Sequence, residues 1–160
     1  KKTTINPATL SAPTGYSHVT TVIGGKAIYV SGQVSFDKEG QLVGAGDAPA
    51  QARQVYANLK AALAAGGATL KDVVKLNTYV VNINPDNIAA IRAARREYMG
   101  EGPYPSSTLV GVTGLVNPEL LFEVEAIAVV PDRAGSAPAK KKSAKKASTK
   151  KAAKGRKKAR

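Results

Sequence analysis

Residues 1–132 predict an α+β domain of two layers, a mixed β-sheet with two helices on one face. Three observations lead there. Short runs rich in Val, Ile, Thr and Tyr alternate with two segments of helical periodicity. Their order reads β-β-(β)-α-β-α-β-β. The composition then changes after Pro131, and residues 133–160 contain no aliphatic side chain larger than Ala.

The first two strands are expected at His18–Ile23 and Ala27–Val34, and Gly24-Gly25 between them is a hairpin signal. Gln41-Leu42-Val43 is a candidate short third strand. A helix is expected from about Pro49 to Ala65, with Asp47 as N-cap and Gly66 as stop. Ala52, Val55, Leu59, Ala62 and Leu63 follow helical spacing, which leaves Gln54 and Lys60 on a solvated face. Val73–Val81 sets Val74, Leu76, Thr78 and Val80 against Lys75, Asn77 and Tyr79, the alternation of a half-buried strand. Asn84-Pro85 opens a second helix that runs through Met99 and stops at Gly100. Strands near Ser107–Val112 and Leu120–Val130 complete the domain. Two helices cover one sheet face only, so Ile127 and Val129 on the other face call for an oligomeric partner.

Charge is partitioned unevenly. Of 24 Lys/Arg residues, 13 lie in residues 133–160, where there is no Asp or Glu. The remaining 11 balance all 11 acidic residues, so the net charge of +13 belongs to the extension alone. That segment is expected to be disordered when free, because nothing in it offsets the entropy of ordering. There is no cysteine and a single histidine, His18, so disulfides and thiolate metal sites are excluded. No metal or cofactor is expected. No apolar run approaches the roughly 18 residues that span a bilayer. Lys1-Lys2-Thr3-Thr4-Ile5-Asn6-Pro7 lacks the apolar core of a secretory signal. A cytoplasmic protein is the resulting expectation.

Five motifs in order resemble the RidA (YjgF) family. They are Asn6-Pro7, Gly15-Tyr16-Ser17-His18, Ile28-Tyr29-Val30-Ser31-Gly32-Gln33, Gln51-Ala52-Arg53-Gln54 with Asn58-Leu59-Lys60, and Glu123-Val124-Glu125-Ala126-Ile127-Ala128. The resemblance implies a chorismate-mutase-like fold, a homotrimer, and clefts between subunits for small carboxylated molecules. It also implies imine or enamine hydrolysis to keto acids, with Glu123 guiding water, Tyr16 near the ligand, and the Ser31-Gly32 backbone beside it. Deaminating members carry Pro-x-Arg-Ser where this chain reads Pro105-Ser106-Ser107-Thr108. Ser107 therefore stands where an arginine would clamp the substrate carboxylate. A serine offers one neutral donor in place of a bidentate, charged fork, so family-type deamination is in doubt.

The same residues have plainer readings. Glu123 and Glu125 lie two apart and share a sheet face, where Glu123 is either a water-activating base or an ion-pair partner across an interface. Ser106, Ser107 and Thr108 line a pocket for a neutral ligand, or are ordinary strand-entry residues. His18 suits a hydrogen-bonded structural role, since a nucleophilic serine would need it as base. Arg92, Arg95 and Arg96 form a solvated helix face, where Glu97 and Glu101 partly offset Arg92 and Arg96, or they supply a substitute cation or a secondary nucleic-acid contact.

The extension carries Lys140, Lys141, Lys142, Lys145, Lys146, Lys150, Lys151, Lys154, Arg156, Lys157, Lys158 and Arg160, interleaved with Ala, Ser and Thr. It resembles the lysine/alanine-rich C-terminal domains of linker histones. Lysine is a point charge that meets phosphate rather than base edges, so sequence-independent binding to nucleic acid, DNA first, is expected. A solubility tail is the alternative. Membrane docking is not expected without a lipid anchor or an apolar helix face.

Overall fold

The structure, a computed structural model, describes residues 1–132. Its elements are β1 (Lys2–Ile5), β2 (Val19–Val22), β3 (Lys26–Gln33), α1 (Ala48–Ala65), β4 (Val73–Val81), α2 (Pro85–Met99), β5 (Ser106–Val112) and β6 (Phe122–Val130), with one 3₁₀ turn at Leu70–Asp72. The strands β3-β6-β4-β5 form the main sheet in that order, and only β4 and β5 run parallel. Both helices pack on one face, which gives the two-layer α+β sandwich the sequence predicts.

Local chemistry sets the helix limits. The Asp47 carboxylate accepts from the Ala50 N–H at 2.9 Å, and Gly66 closes the last turn of α1 by donating to Ala62 O. The Asn84 side chain accepts from Asn87 N at 2.9 Å, and Pro85 follows in the first turn of α2, where its missing N–H costs nothing. Gly100, at φ 77°, ends that helix in a conformation other residues rarely adopt. Between helices and sheet, Val55, Tyr56, Leu59 and Leu63 of α1 meet Leu76, Val80, Phe122 and Val124, all essentially inaccessible. Two polar side chains of α1 brace the loops around this core. Gln51 donates to Gly44 O and Glu119 O and accepts from Leu121 N, while Asn58 donates to Val34 O and Phe36 O.

Three expectations need correction. The hairpin read around Gly24-Gly25 does not form: β2 pairs with β1, and β3 pairs with β6. Contacts to β5 hold the β2 segment away from β3. Ser17 N donates to Pro105 O, and Ser106 N donates to Thr20 Oγ1. The β1–β2 ribbon thus lies along the end of the main sheet, where Lys2 Nζ donates to Val73 O at 3.0 Å. His18 precedes β2 in a bend rather than standing in the strand. Finally, Gln41-Leu42-Val43 makes a single bridge, Phe36 to Leu42, because the Asp37 carboxylate turns the chain by accepting from Glu39 N and Gln41 N.

The sheet face away from the helices is open. Tyr29 is 77% exposed there, and Ile127 and Val129 are half-buried. Asp132 Oδ2 accepts from Gly25 N at 3.0 Å, which ties the end of the described chain to the start of β3.

Candidate functional site

A bulge in β3 builds the first half of the site. Val30 pairs with Ala126 and Gln33 with Val124, so three steps on β3 oppose two on β6. The extra residue brings the Gly32 α-carbon against the Glu123 carboxylate, where any β-carbon would collide with it. No ion pair among the described residues engages Glu123. Ser31 lies beside it, exposed, at the rim of a 290 Å³ depression on the open face.

Glu125, two residues on, lines that depression and is held by neighbours. Its Oε1 accepts from Asn77 Nδ2 at 2.6 Å and from the Tyr79 hydroxyl at 3.2 Å. Loss of water around the phenol, then the Glu125 and Glu123 carboxylates, hold Tyr79 above its ordinary pKa. Lys75 also lines the depression but donates to Thr108 Oγ1 at 2.6 Å. The floor is therefore a hydrogen-bonded polar network with one carboxylate, Glu123, to its side.

Tyr16 and Ser107 lie elsewhere. Ser107 pairs with Leu76, a core residue, so its side chain points to the helix face while Glu123 points to the open one. Leu76 in turn pairs with Ala126, three residues along β6 from Glu123, and β5 lies two strands from β6. Tyr16 is further out, beyond β5, where the adjoining Ser17 bridges to Ser106. Tyr16 packs edge-on against the His18 ring at 5.2 Å, and His18 Nε2 hydrogen-bonds to Ser11 O at 2.8 Å. Ser31, Gly32 and Glu123 thus assemble within one chain, and Tyr16 and Ser107 do not join them.

Arg95 differs from its expected place on a solvated face. Its guanidinium stacks 4.6 Å from the Tyr104 ring centre and lies under Gly15, while exposed Arg96 pairs with Glu101 at 3.7 Å. Asn77 and Tyr79 were readable in sequence only as strand residues, and Gln51 and Asn58 only as members of a quoted motif on the first helix. One signal was available: Gln51 and Asn58 are seven apart, on the face that also carries Val55 and Leu59. Among the described residues no group of His, Cys, Asp and Glu is arranged to hold a metal ion. The lysines and arginines from Lys140 to Arg160 lie outside the described residues.

The chain is similar to known proteins across this whole body. It matches the family described as Endoribonuclease L-PSP over residues 7–130. A crystal structure of YyfB, a conserved Rid-family protein from Yersinia pestis, superposes with TM-score 0.73 at 45% identity, covering 81% of this chain and 98% of that one. RidA from an Antarctic Psychrobacter species gives TM-score 0.59 at 32% identity, with 75% and 92% covered. A mite protein from Dermatophagoides farinae named 2-iminobutanoate/2-iminopropanoate deaminase is 32% identical, over 66% of this chain and 80% of its own length. With the two-layer fold, the ordered motifs and these matches in agreement, the chain belongs to the Endoribonuclease L-PSP family, in its RidA/YjgF form.

Proposed function

We propose that this chain is a RidA-type small-molecule-binding protein, a homotrimer with its ligand cleft between copies, whose extension binds nucleic acid without sequence preference. The observation that carries the cleft is the separation just described. Glu123, Gly32 and Ser31 lie together, while Tyr16 and Ser107 sit across the sheet, an arrangement that supports a cleft completed by a second copy. The open face, with exposed Tyr29 and half-buried Ile127 and Val129, offers such a copy an apolar surface. The ligand is a small carboxylated or neutral molecule, and no cofactor or metal enters the reading.

The charge partition supports the second part. A neutral body joined near residue 132 to a segment with 13 cations and no anion concentrates phosphate attraction in the extension. Three such segments on one trimer gain from effective concentration, consistent with a cytoplasmic, nucleoid-associated role. The test measures mass by light scattering and DNA retardation on a gel, with and without residues 134–160. The shortened chain should stay trimeric and cease to retard DNA; continued retardation refutes the proposal. Retardation by the full chain should weaken about 10³ to 10⁵-fold between roughly 50 and 200 mM salt if six to ten cations meet phosphates.

Imine hydrolysis is the second reading. It is favoured by the Glu123 carboxylate, free of ion pairs among the described residues, and by the deaminase name of one relative. Ser107 weighs against it, because a carboxylate there meets no charge. Keto-acid release from a freshly generated imino acid decides the matter: a rate equal to the uncatalysed one ends this reading. If the cleft is otherwise intact, Ser107→Arg should raise the rate.

A further inference from the structure

The last turns of α2 hold a second polar concavity, away from Glu123. It measures 260 Å³, and three guanidinium groups, Arg92, Arg95 and Arg96, line it beside Tyr104 and Gly15. One carboxylate, Glu101, shares the lining, and it engages Arg96 at 3.7 Å with both side chains largely exposed. Such an exposed pair contributes little and is readily exchanged. Two positive charges are left without an ion-pair partner among the described residues.

Arg95 is not an ordinary solvated arginine. One face of its guanidinium is covered by the Tyr104 ring, and the Gly15 backbone closes on its Nη2 edge. Its Nε is buried and has no acceptor. The group has given up water on several sides, and no described carboxylate balances it. A cation in that condition gains more from an anion than one that keeps its hydration. Gly15, at φ 80°, is the residue type that allows the loop to close so tightly. Contact with Tyr104 and Gly15 also restricts the guanidinium before any ligand arrives, which lowers the entropy cost of binding.

Arg92 and Arg96 stand one turn apart on the same helix face and flank the fixed group, as their shared concavity shows. The negative end of the α2 dipole offsets part of the local potential but does not reverse three full charges. Thr14 adds a hydroxyl at the rim. One held guanidinium and two adaptable ones around a small depression suit a tetrahedral oxyanion.

We propose that Arg92, Arg95 and Arg96 form a phosphate-binding site, filled either by a small phosphorylated molecule or by a phosphate of a nucleic-acid backbone. This site is separate from the Glu123 half of the cleft and does not depend on the extension.

The test is a titration of the full chain followed by NMR, reading the amides of Gly15 and Tyr104 and, independently, those of residues 140–160. With inorganic pyrophosphate at low salt, the Gly15 and Tyr104 signals should shift and saturate. The exposed double variant Arg92→Gln/Arg96→Gln should keep the dispersed spectrum and weaken that response at least about tenfold, the usual worth of a lost charged contact. In a second arm a short DNA duplex replaces pyrophosphate. Movement of the same two signals, reduced in the double variant, assigns the site to backbone phosphate. If only the extension responds to DNA while pyrophosphate still saturates the site, the ligand is a small phosphorylated molecule. The absence of saturable shifts at Gly15 and Tyr104 in both arms, or shifts unchanged in the double variant, overturns the proposal. A DNA response confined to residues 140–160 with no pyrophosphate site would leave the nucleic-acid reading of the extension standing and remove this one.

Discussion

The Glu123 carboxylate rests against the α-carbon of Gly32, across the bulge that separates the Val30–Ala126 and Gln33–Val124 pairs. Gly32→Ala should therefore push the Glu123 carboxylate out of its place; the end of a flexible, half-buried side chain gives way cheaply, so the cost in urea unfolding should stay under about 1 kcal/mol. The displacement itself is the readout: the side-chain carboxyl carbon resonance of Glu123 should shift in Gly32→Ala and not in Lys60→Ala. An unchanged resonance would contradict the contact.

Gln51 is fully buried and links three backbone groups, Gly44 O, Glu119 O and Leu121 N. Gln51→Leu keeps much of the volume but leaves those three part-buried groups without their partner. A loss on the order of 3 kcal/mol is expected, against less than about 0.5 kcal/mol for exposed Lys60→Ala as control. Equal effects of the two would show that the bonds do not matter.

Burial pushes the Tyr56 phenol well above its ordinary range of 10.0, only partly opposed by the nearby Arg95 charge. The folded chain then holds this proton more tightly than the unfolded one. Its contribution is complete below the unfolded pKa and is lost as pH rises above about 10 toward the folded value. Wild-type stability should fall between about pH 9 and 11, and Tyr56→Phe should fall less steeply. Parallel slopes in denaturant titrations would exclude Tyr56 as a source.

Tyr29 is 77% exposed on the open sheet face, beside half-buried Ile127. Tyr29→Asp should leave the protomer folded, since the side chain packs little within it, and should shift the assembly toward lower mass in light scattering. An unchanged mass at low micromolar concentration would mean that this face is not the one covered.

Much of the architecture was legible in the residues because it rests on local chemistry. Asp47, Asn84-Pro85, Gly66 and Gly100 mark both helices through capping and φ preference, and Val73–Val81 shows its burial in its alternation. What failed was pairing. Gly24-Gly25 is a fair turn signal, but Thr20 and Ser17 are claimed by Ser106 at the start of β5, 86 and 89 residues away in sequence, and no local pattern encodes that. The site was legible in part. Glu123 and Gly32 meet; a glycine inside a strand is the mark of a bulge, but nothing around it says which carboxylate the bulge will face. Ser107 and Tyr16 were grouped with them by resemblance, and a single chain does not bring them there. Arg95 looked like a surface residue because its spacing said nothing of Tyr104 and Gly15.

The bond from Gly25 to Asp132 moors the end of the globular body at the far pole of β6, about 23 Å from Glu123 at 3.3 Å per residue. The chain beyond Asp132 therefore departs from the end of β6 remote from Glu123, and its point of departure is set by a hydrogen bond to β3 rather than by the last strand alone.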